Sequence, residues 1–280
     1  MDTLPIFVRD HAEGHLLAWH REVEAAERFN VTLAQVEEVA LERNILPSRY
    51  QRNRKALSVS DQLTLLRSSV AVIGCGGLGG YVIEELARLG VGRLVVIDPD
   101  VFEEHNLNRQ LLCSPANLGT AKVDAAVRRV ADINPAVSVT PERVAFSRKN
   151  GPELLAGSSV AVDALDNIPV RLELAETCAR SGIPLVHGAI AGWYGHVATL
   201  MPGDTTLREI YASHGGERGI EQQLGNPSFT PAVVASLEVA ETCKLLLGMG
   251  TPLRGRKLMI DLLAMEMHEI AAPKTDGQAP

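Results

Sequence analysis

Short apolar runs alternate with longer amphipathic stretches through the middle of the chain. The runs predict buried strands, and they cover residues 70–74, 94–98, 137–140, 159–165 and 184–188. Helical periodicity follows them at residues 78–90, 119–132, 151–156 and 168–181. Continuous apolar strands are typical of sheets that are covered on both faces. The order therefore predicts an α/β protein with a doubly wound, mainly parallel sheet.

The pattern changes towards both ends of the chain. Residues 1–48 predict helices, with Thr32 and Gln35 spaced as a capping box and Pro47 as a stop. Beyond residue 188, strands are predicted at 196–201 and 257–261, and a helix is predicted at 231–247. We therefore expect an N-terminal helical extension (1–48), a main domain with an extra C-terminal strand and helix region (49–270) and a disordered tail (271–280).

Residues 202–230 are rich in glycine and poor in apolar side chains. A segment of this length without clear structure is functional or mobile, because most connections in compact domains are much shorter. We expect it to act as a lid.

Composition excludes several classes of protein. The net charge is −7, from 27 Lys and Arg against 34 Asp and Glu, so bulk attraction to nucleic acid or to an anionic membrane is not expected. No apolar stretch reaches the roughly 18 residues of a membrane span, and no signal sequence is evident, so we expect a cytoplasmic protein. The four cysteines are far apart and form no C-x-x-C pair, which excludes zinc sites built from such pairs and argues against a disulfide framework.

A glycine-rich loop follows the first predicted strand of the sheet. Gly74, Gly76 and Gly79 fit the spacing G-x-G-x-x-G, with Gly77 as an additional glycine, and Asp98 ends the next strand. Such a loop lets phosphates approach a helix N-terminus, while the acid accepts hydrogen bonds from ribose. The loop predicts a Rossmann-like nucleotide site, and by itself it favours a nicotinamide or flavin enzyme.

A second polar cluster changes that interpretation. Arg109 and Lys122, together with the amides of Asn106 and Gln110, lie near the same predicted edge of the sheet. Two cations suit a polyphosphate, whereas a neutral nicotinamide ring gives them no obvious task. The run DALDN at 163–167 adds an acid at a strand end, which suggests Mg²⁺ held by one carboxylate and by substrate phosphates. Together these features indicate ATP chemistry.

The runs GCGGLG, DPDVFEEHNLNRQ, LGTAK and DALDN, preceded by RYQRN, resemble the ThiF/MoeB/HesA adenylyltransferases, the bacterial relatives of ubiquitin-activating enzymes. The resemblance covers roughly residues 48–265 and implies roles for matching residues. Nucleotide-binding residues implied in this way are Gly74, Gly76, Gly77, Asp98, Asp100, Asn106, Arg109, Gln110, Lys122 and Asn167. The catalytic residues implied are Arg52, Arg109, Lys122 and Asp166, and Asp166 is also the implied ligand of Mg²⁺.

The resemblance also implies the reaction. The C-terminal glycine carboxylate of a ubiquitin-like sulfur carrier ending in Gly-Gly attacks the α-phosphorus of ATP, giving an acyl-adenylate and pyrophosphate. A carboxylate is a weak nucleophile that must approach a polyanion, so catalysis should depend on positioning and charge neutralisation. In the family, the second arginine of the R-Y-x-R-Q motif reaches the partner's site across a homodimer, which makes Arg52 that arginine here, although Asn53 replaces the usual glutamine.

The chain departs from the family in two respects. Many members hold zinc through two C-x-x-C pairs, and some use a cysteine in the loop corresponding to 202–230, but this chain has neither. We therefore predict adenylation without zinc and without an enzyme thioester. His187, His196 and His214 lack metal-ligand spacing and are expected to be structural or on the surface, while GWYG at 192–195 is compatible with a carrier groove or with core packing.

Two alternatives remain open from the sequence. A relative with the same site could activate a small carboxylate, as tRNA-modifying dehydratases do, and a nicotinamide or flavin oxidoreductase or an inert partner subunit is the other class. The pathway of the carrier (thiamine, molybdenum or tungsten cofactor, or cysteine) also remains open.

Overall fold

The structure is a computed structural model that describes residues 3–204, 206–211 and 221–271. Its helices are α1 Leu4–Asp10, α2 Trp19–Phe29, α3 Leu33–Leu41, α4 Val59–Leu66, α5 Gly77–Leu89, α6 Lys122–Ile133, α7 Gly151–Leu154, α8 Ile168–Ser181, α9 Thr206–Ile210, α10 Glu221–Leu224 and α11 Phe229–Leu247. Its strands are β1 Leu16–Leu17, β2 Leu46–Pro47, β3 Ser69–Ile73, β4 Arg93–Ile97, β5 Ser138–Glu142, β6 Val160–Asp163, β7 Leu185–Ala191, β8 Tyr194–Leu200, β9 Arg256–Asp261 and β10 Glu266–Ala271.

An eight-stranded sheet in the order β10-β9-β8-β7-β6-β3-β4-β5 forms the centre of the protein. The strands from β7 to β5 are parallel, whereas β8, β9 and β10 are added antiparallel. The predicted strands and helices of the main domain agree with the observed ones to within three residues at each end. The predicted α/β fold with a mainly parallel sheet is confirmed.

The two faces of the sheet are covered by different helices. Val70 and Val72 of β3 point into a core formed with α5, α6 and α11. Their neighbours Ala71 and Ile73 point into a second core, which contains side chains of α8. Burial on both sides explains why these strands read as continuous apolar runs.

The N-terminal helices have a small core of their own. Phe7, Val8, Val36 and Ala40 pack together in a cluster separate from the two cores on the sheet. The predicted capping box of α3 is present, with Thr32 and Gln35 bonded reciprocally. Strands β1 and β2 form a short parallel pair, which the sequence pattern did not predict. The boundary at residue 48 stays a prediction.

The segment 202–230 contains more structure than the sequence predicted. Helices α9 and α10 lie within it, whereas residues 205 and 212–220 are outside the described residues. The predicted disordered tail also falls almost wholly outside them, because the description stops at Ala271. Among the helices that are described, none combines the length and apolar character required to span a membrane.

Candidate active site

The glycine loop passes directly from β3 into α5. Gly74 has a φ of +100°, and a Cβ there would lie 2.5 Å from the carbonyl oxygen of Ala164. A Cβ on Gly79 would lie 1.8 Å from the carbonyl oxygen of Gly74. These two positions require glycine for close backbone approach, and they bring the loop against the DALDN run that follows β6.

Asp98 is buried at the end of β4 and supports the loop. Its carboxylate accepts hydrogen bonds from the backbone N–H of Cys75 (2.7 Å) and of Asp100 (2.8 Å). Burial raises the pKa of Asp98, while the Lys122 ammonium and these two backbone donors oppose that rise. Each carboxylate oxygen accepts one protein donor and retains capacity for a ribose hydroxyl.

Lys122 is the first residue of α6 and is almost completely buried. Its Nζ lies 2.9 Å from Oδ2 of Asp100 and 3.9 Å from Oδ2 of Asp98. Asp100 is largely exposed, so a phosphate could replace it as the partner of the ammonium group. The predicted lysine and the predicted ribose-binding acid therefore lie at one rim.

A 3-10 turn, Glu104–Asn106, ends at the first residue of the run NLNRQ. Asn106 is buried, and its Oδ1 accepts a hydrogen bond from the N–H of Glu103 at 3.0 Å. The Nδ2 of Asn108 donates to the carbonyl oxygen of Asn226 at 3.1 Å. The turn is thus fixed internally, and it contacts the end of the segment that was predicted to form a lid.

Gln110 and Arg109 lie against the glycine loop. The Nε2 of Gln110 is 3.6 Å from where a Cβ of Gly76 would be, and the Cγ and Nε of Arg109 are 3.9 Å from the same position on Gly77. The Oε1 of Gln110 is buried and has no hydrogen-bond partner within the described residues. An orphaned amide acceptor beside a glycine loop suits a ligand that donates a hydrogen bond there.

Asp163 ends β6, but its carboxylate is committed to the protein. It is fully buried, with Oδ2 located 2.7 Å from Nδ1 of His187 and Oδ1 accepting from the N–H of Leu165 at 3.0 Å. Of the two acids in DALDN, Asp163 therefore has a structural role, and Asp166 is the one exposed to solvent.

The turn that carries Asp166 is fixed on both sides. Before it, the carbonyl oxygen of Leu165 accepts from Nε of Arg171 at 3.1 Å and from Nη2 of the same guanidinium. After it, Asn167 caps α8 by accepting from the N–H of Val170 at 3.0 Å. Asp166 is therefore an exposed carboxylate on a pre-organised turn beside the glycine loop.

A buried polar network behind this turn was not predicted from the sequence. His187 Nε2 lies 3.1 Å from Nε2 of His196 and 3.3 Å from the hydroxyl of Tyr211, which accepts from Nη1 of Arg171 at 2.6 Å. Desolvation lowers the pKa of both histidines, so both are neutral at physiological pH. Their placement agrees with a structural role, whereas His214 lies outside the described residues.

Comparison with known proteins identifies the family. The ThiF family profile matches residues 50–280. The chain belongs to the ThiF family. The SAMP-activating enzyme E1 of Haloferax volcanii is 40% identical over 208 residues, which are 74% of this chain and 77% of the relative. The sulfur carrier protein adenylyltransferase of Thermus thermophilus is 35% identical over 217 residues, which are 75% of this chain and 80% of the relative.

A solved structure agrees with the fold. The crystal structure of E. coli MccB with ATP matches with a TM-score of 0.71 at 21% identity, covering 91% of this chain and 83% of MccB. The family resemblance predicted from the sequence motifs is thus confirmed, and the relatives identify this ThiF-family chain as an enzyme of the adenylyltransferase kind.

In this ThiF-family chain, Arg52 lies two residues after the one that contacts the C-terminal end of α5. It is exposed and follows Tyr50, whose hydroxyl lies 2.4 Å from where a Cβ of Gly90 would be. Gly90 ends α5, and the glycine loop lies at the start of that helix. Thirteen residues at 1.5 Å each separate the two ends by about 20 Å. Tyr50 therefore contacts α5 at the end opposite the glycine loop.

The cysteines of the described residues are poor nucleophiles. Cys75 is fully buried in the glycine loop, where desolvation and the charge of Asp98 raise its pKa well above the usual value. Desolvation also raises the pKa of Cys178 to about 12 and of Cys243 to about 11, and it raises that of Cys113. Raised values leave little thiolate near neutral pH.

Trp193, in the GWYG run, forms part of the surface and not of the core. It is 44% exposed, and its ring packs against Phe229 with a centroid distance of 4.5 Å. The hydroxyl of Thr230 donates to the carbonyl oxygen of Gly192, and Pro231 contacts the position of a Cβ on Gly77. The exposed aromatic pair is therefore close to the glycine loop.

Proposed function

We propose that this protein uses ATP to adenylate the C-terminal glycine carboxylate of a ubiquitin-like sulfur-carrier protein. The observation that carries the proposal is the convergence of Asp98, Lys122, Arg109 and the Asp166 turn on one glycine loop. The two relatives described above, one named for SAMP activation and one for sulfur-carrier adenylylation, support the same class of substrate.

The mechanism assigns positioning and charge neutralisation to the protein. Asp98 orients the ribose, and Lys122 and Arg109 bind the phosphates from the rim of the loop. A carboxylate oxygen of the carrier forms a bond to the α-phosphorus while the bond from that phosphorus to the bridging oxygen breaks. The electron pair leaves with pyrophosphate. No strong base is required, because the attacking carboxylate is already ionised.

Asp166 suits the proposed Mg²⁺. Its carboxylate is exposed, and Asp163 behind it is occupied by His187 and Leu165. Within the described residues no three His, Cys, Asp or Glu side chains form a ligand cluster, so the donor set fits a cation shared between one carboxylate and substrate phosphates. When bound, Mg²⁺ would neutralise phosphate charge at the reacting centre.

We propose further that the active protein is a homodimer in which Arg52 serves the partner's site. The contact of Tyr50 with the C-terminal end of α5, about 20 Å along that helix from its own glycine loop, supports this assignment of the neighbouring Arg52. A second copy can supply such an arginine in trans, and arginines used in this way contribute about 10³–10⁵ in rate in GTPases.

The Trp193–Phe229 pair and the segment 202–230 are proposed to form the groove and lid for the carrier's C-terminal tail. Residues 212–220 of this lid lie outside the described residues. Adenylation is proposed to proceed without a zinc subdomain and without an enzyme thioester. We also propose residues 49–270 as the adenylation domain and 1–48 as an extension.

The decisive experiment is ATP–[³²P]pyrophosphate exchange, with and without carriers that end in Gly-Gly. We expect exchange that requires a carrier and that falls by at least 100-fold in Asp166→Ala, with exposed Asp132→Ala as the matched control. Exchange without a carrier would instead indicate a small carboxylate substrate. No exchange with any carrier, despite ATP binding, would contradict the proposal.

A further inference from the structure

The N-terminal helices hold a partly buried arginine three residues before Arg52. The Nη2 of Arg49 lies 2.6 Å from Oε2 of Glu22, in α2, and 3.4 Å from Oε1 of Glu37, in α3. Both glutamates are buried, and the guanidinium also stacks over Trp19 at 4.7 Å from the ring centroid. These two carboxyls and this indole all belong to the extension.

The same contacts continue into the main domain. The hydroxyl of Tyr50 donates to Oε2 of Glu37 at 3.1 Å and accepts from Nδ2 of Asn134 at 2.9 Å. Asn134 follows α6, and its Oδ1 accepts from Nη1 of Arg49, while its Nδ2 also donates to the carbonyl oxygen of Ala87 at 2.8 Å. We call Glu22, Glu37, Arg49, Tyr50 and Asn134 the Arg49 clasp.

The clasp connects three elements that bear on the proposed site. It joins the extension to the C-terminal ends of α5 and α6, whose N-terminal ends carry the glycine loop and Lys122. It also fixes the chain immediately before the exposed residues Gln51 and Arg52. A turn continues from there, with the N–H of Asn53 donating to the carbonyl oxygen of Tyr50 at 2.9 Å.

Attachment of the extension alone does not explain a buried charged cluster. An apolar contact of similar size would join two units at lower desolvation cost than these polar and charged side chains. A planar guanidinium held by two carboxyls and an amide instead fixes the orientation of the backbone that carries it. This orientation is passed on to Arg52, because Arg52 lies one residue beyond Gln51 on the turn that begins at Tyr50.

We propose that Arg49 is a positioning residue, through which α2 and α3 set the orientation of Arg52 towards the nucleotide site of a second copy. The inference rests on the proposed function, because Arg52 acts only if that function and the homodimer are correct. It gives the N-terminal extension a task in the reaction.

A double-mutant cycle tests the proposal with the full-length protein in carrier-dependent pyrophosphate exchange. We expect Arg49→Ala to lower kcat at least tenfold with less than a threefold change in the KM for ATP. In an Arg52→Ala background the same change should cost less than twofold, because nothing remains to be positioned. Equal losses in both backgrounds, or no loss in the wild-type background, would overturn the proposal. Arg49→Lys should recover only part of the rate.

Arg67→Ala is the matched control for the cycle. Arg67 also links the main domain to α3, through Glu38 and Glu42, but its side chain is 51% exposed. Removing it deletes the same charge from the same junction, and we expect less than a twofold change in kcat.

Hydrogen exchange separates failure of this inference from failure of the proposed function. Arg49→Ala should speed amide exchange over residues 51–57 at least tenfold while exchange in β3 and β4 stays unchanged. Unchanged exchange over 51–57 would overturn the positioning role even if adenylation is confirmed. Absence of pyrophosphate exchange in the wild type would instead refute the proposed function, together with the role of Arg52.

Discussion

Replacing Glu238 by glutamine should stabilise the protein, and increasingly so as the pH rises. Glu238 lies in the middle of α11, fully buried, and neither carboxyl oxygen has a hydrogen-bond partner within the described residues. Its carboxyl packs against the backbone of Gly188, where an added Cβ would lie 2.4–2.7 Å from the carboxyl atoms. Desolvation and the charge of Asp163 raise its pKa well above the ordinary value, and the opposing charge of Arg171 is insufficient.

The magnitude follows from proton linkage. A raised folded pKa gives stability that is fully present below the unfolded pKa, 4.5, and is lost as the pH rises towards the folded value. Each pH unit between 4.5 and the folded pKa costs about 1.4 kcal/mol, so the cost grows with pH until the folded pKa is reached. Glutamine removes this cost, because it is uncharged in both states and has nearly the same shape.

Urea unfolding of Glu238→Gln and the wild type at pH 5.5, 6.5 and 7.5 measures the effect. We expect the difference in unfolding free energy to grow from pH 5.5 to 7.5, by about 1.4 kcal/mol for each pH unit below the folded pKa, whereas exposed Glu153→Gln should show no such trend. A constant difference, or destabilisation by glutamine at pH 7.5, would refute the reasoning. It would show that Arg171 keeps Glu238 ionised.

Three further changes have clear expected outcomes. Gly79→Ala should prevent nucleotide binding or folding, because its methyl group would lie 1.8 Å from the carbonyl oxygen of Gly74. The control Gly80→Ala meets only ordinary contacts from 3.4 Å and should still bind ATP, as measured by calorimetry. Trp193→Ala should raise the KM for the carrier severalfold and leave the KM for ATP unchanged in the exchange assay; equal changes in both would contradict a tail groove. Burial raises the pKa of Glu22 to about 8, so the wild type should lose stability as the pH rises from 4.5 to 8, and Glu22→Gln should lose less. Unfolding free energies from urea that fall equally with pH in the variant and the wild type would disprove this.

The sequence predicted those elements in which successive residues are buried to the same extent. Strands such as β3 are buried on both faces, so their apolar run is visible without knowledge of their neighbours. Strand β10 is exposed along its whole length at the edge of the sheet, so no buried apolar run reveals it. The strand forms because it pairs with β9 at the edge of the sheet.

The candidate site shows the same division. The glycine loop, Arg109 and Lys122 stand at spacings that local motifs specify, and the structure brings them to one rim. The hydrogen bond between Asp163 and His187 depends on the pairing of β6 with β7, which places these residues, 24 positions apart, side by side. Similarly, 27 residues separate Glu22 from Arg49. Contacts between such distant positions leave no signal in a single sequence.

The order of strands in the sheet bears on how the protein acquires its site during synthesis. Val70 in β3 pairs with Val160 in β6, and Gly74 packs against Ala164 immediately beyond. At about 5–20 residues per second, a ribosome needs roughly 5–20 s to extend the chain by the ninety positions from Val70 to Val160. Throughout that interval the glycine loop has been synthesised but lacks the wall that shapes it. A nascent chain that stops before residue 164 therefore cannot bind nucleotide in the mature manner, so ATP can stabilise only chains that have grown past this point.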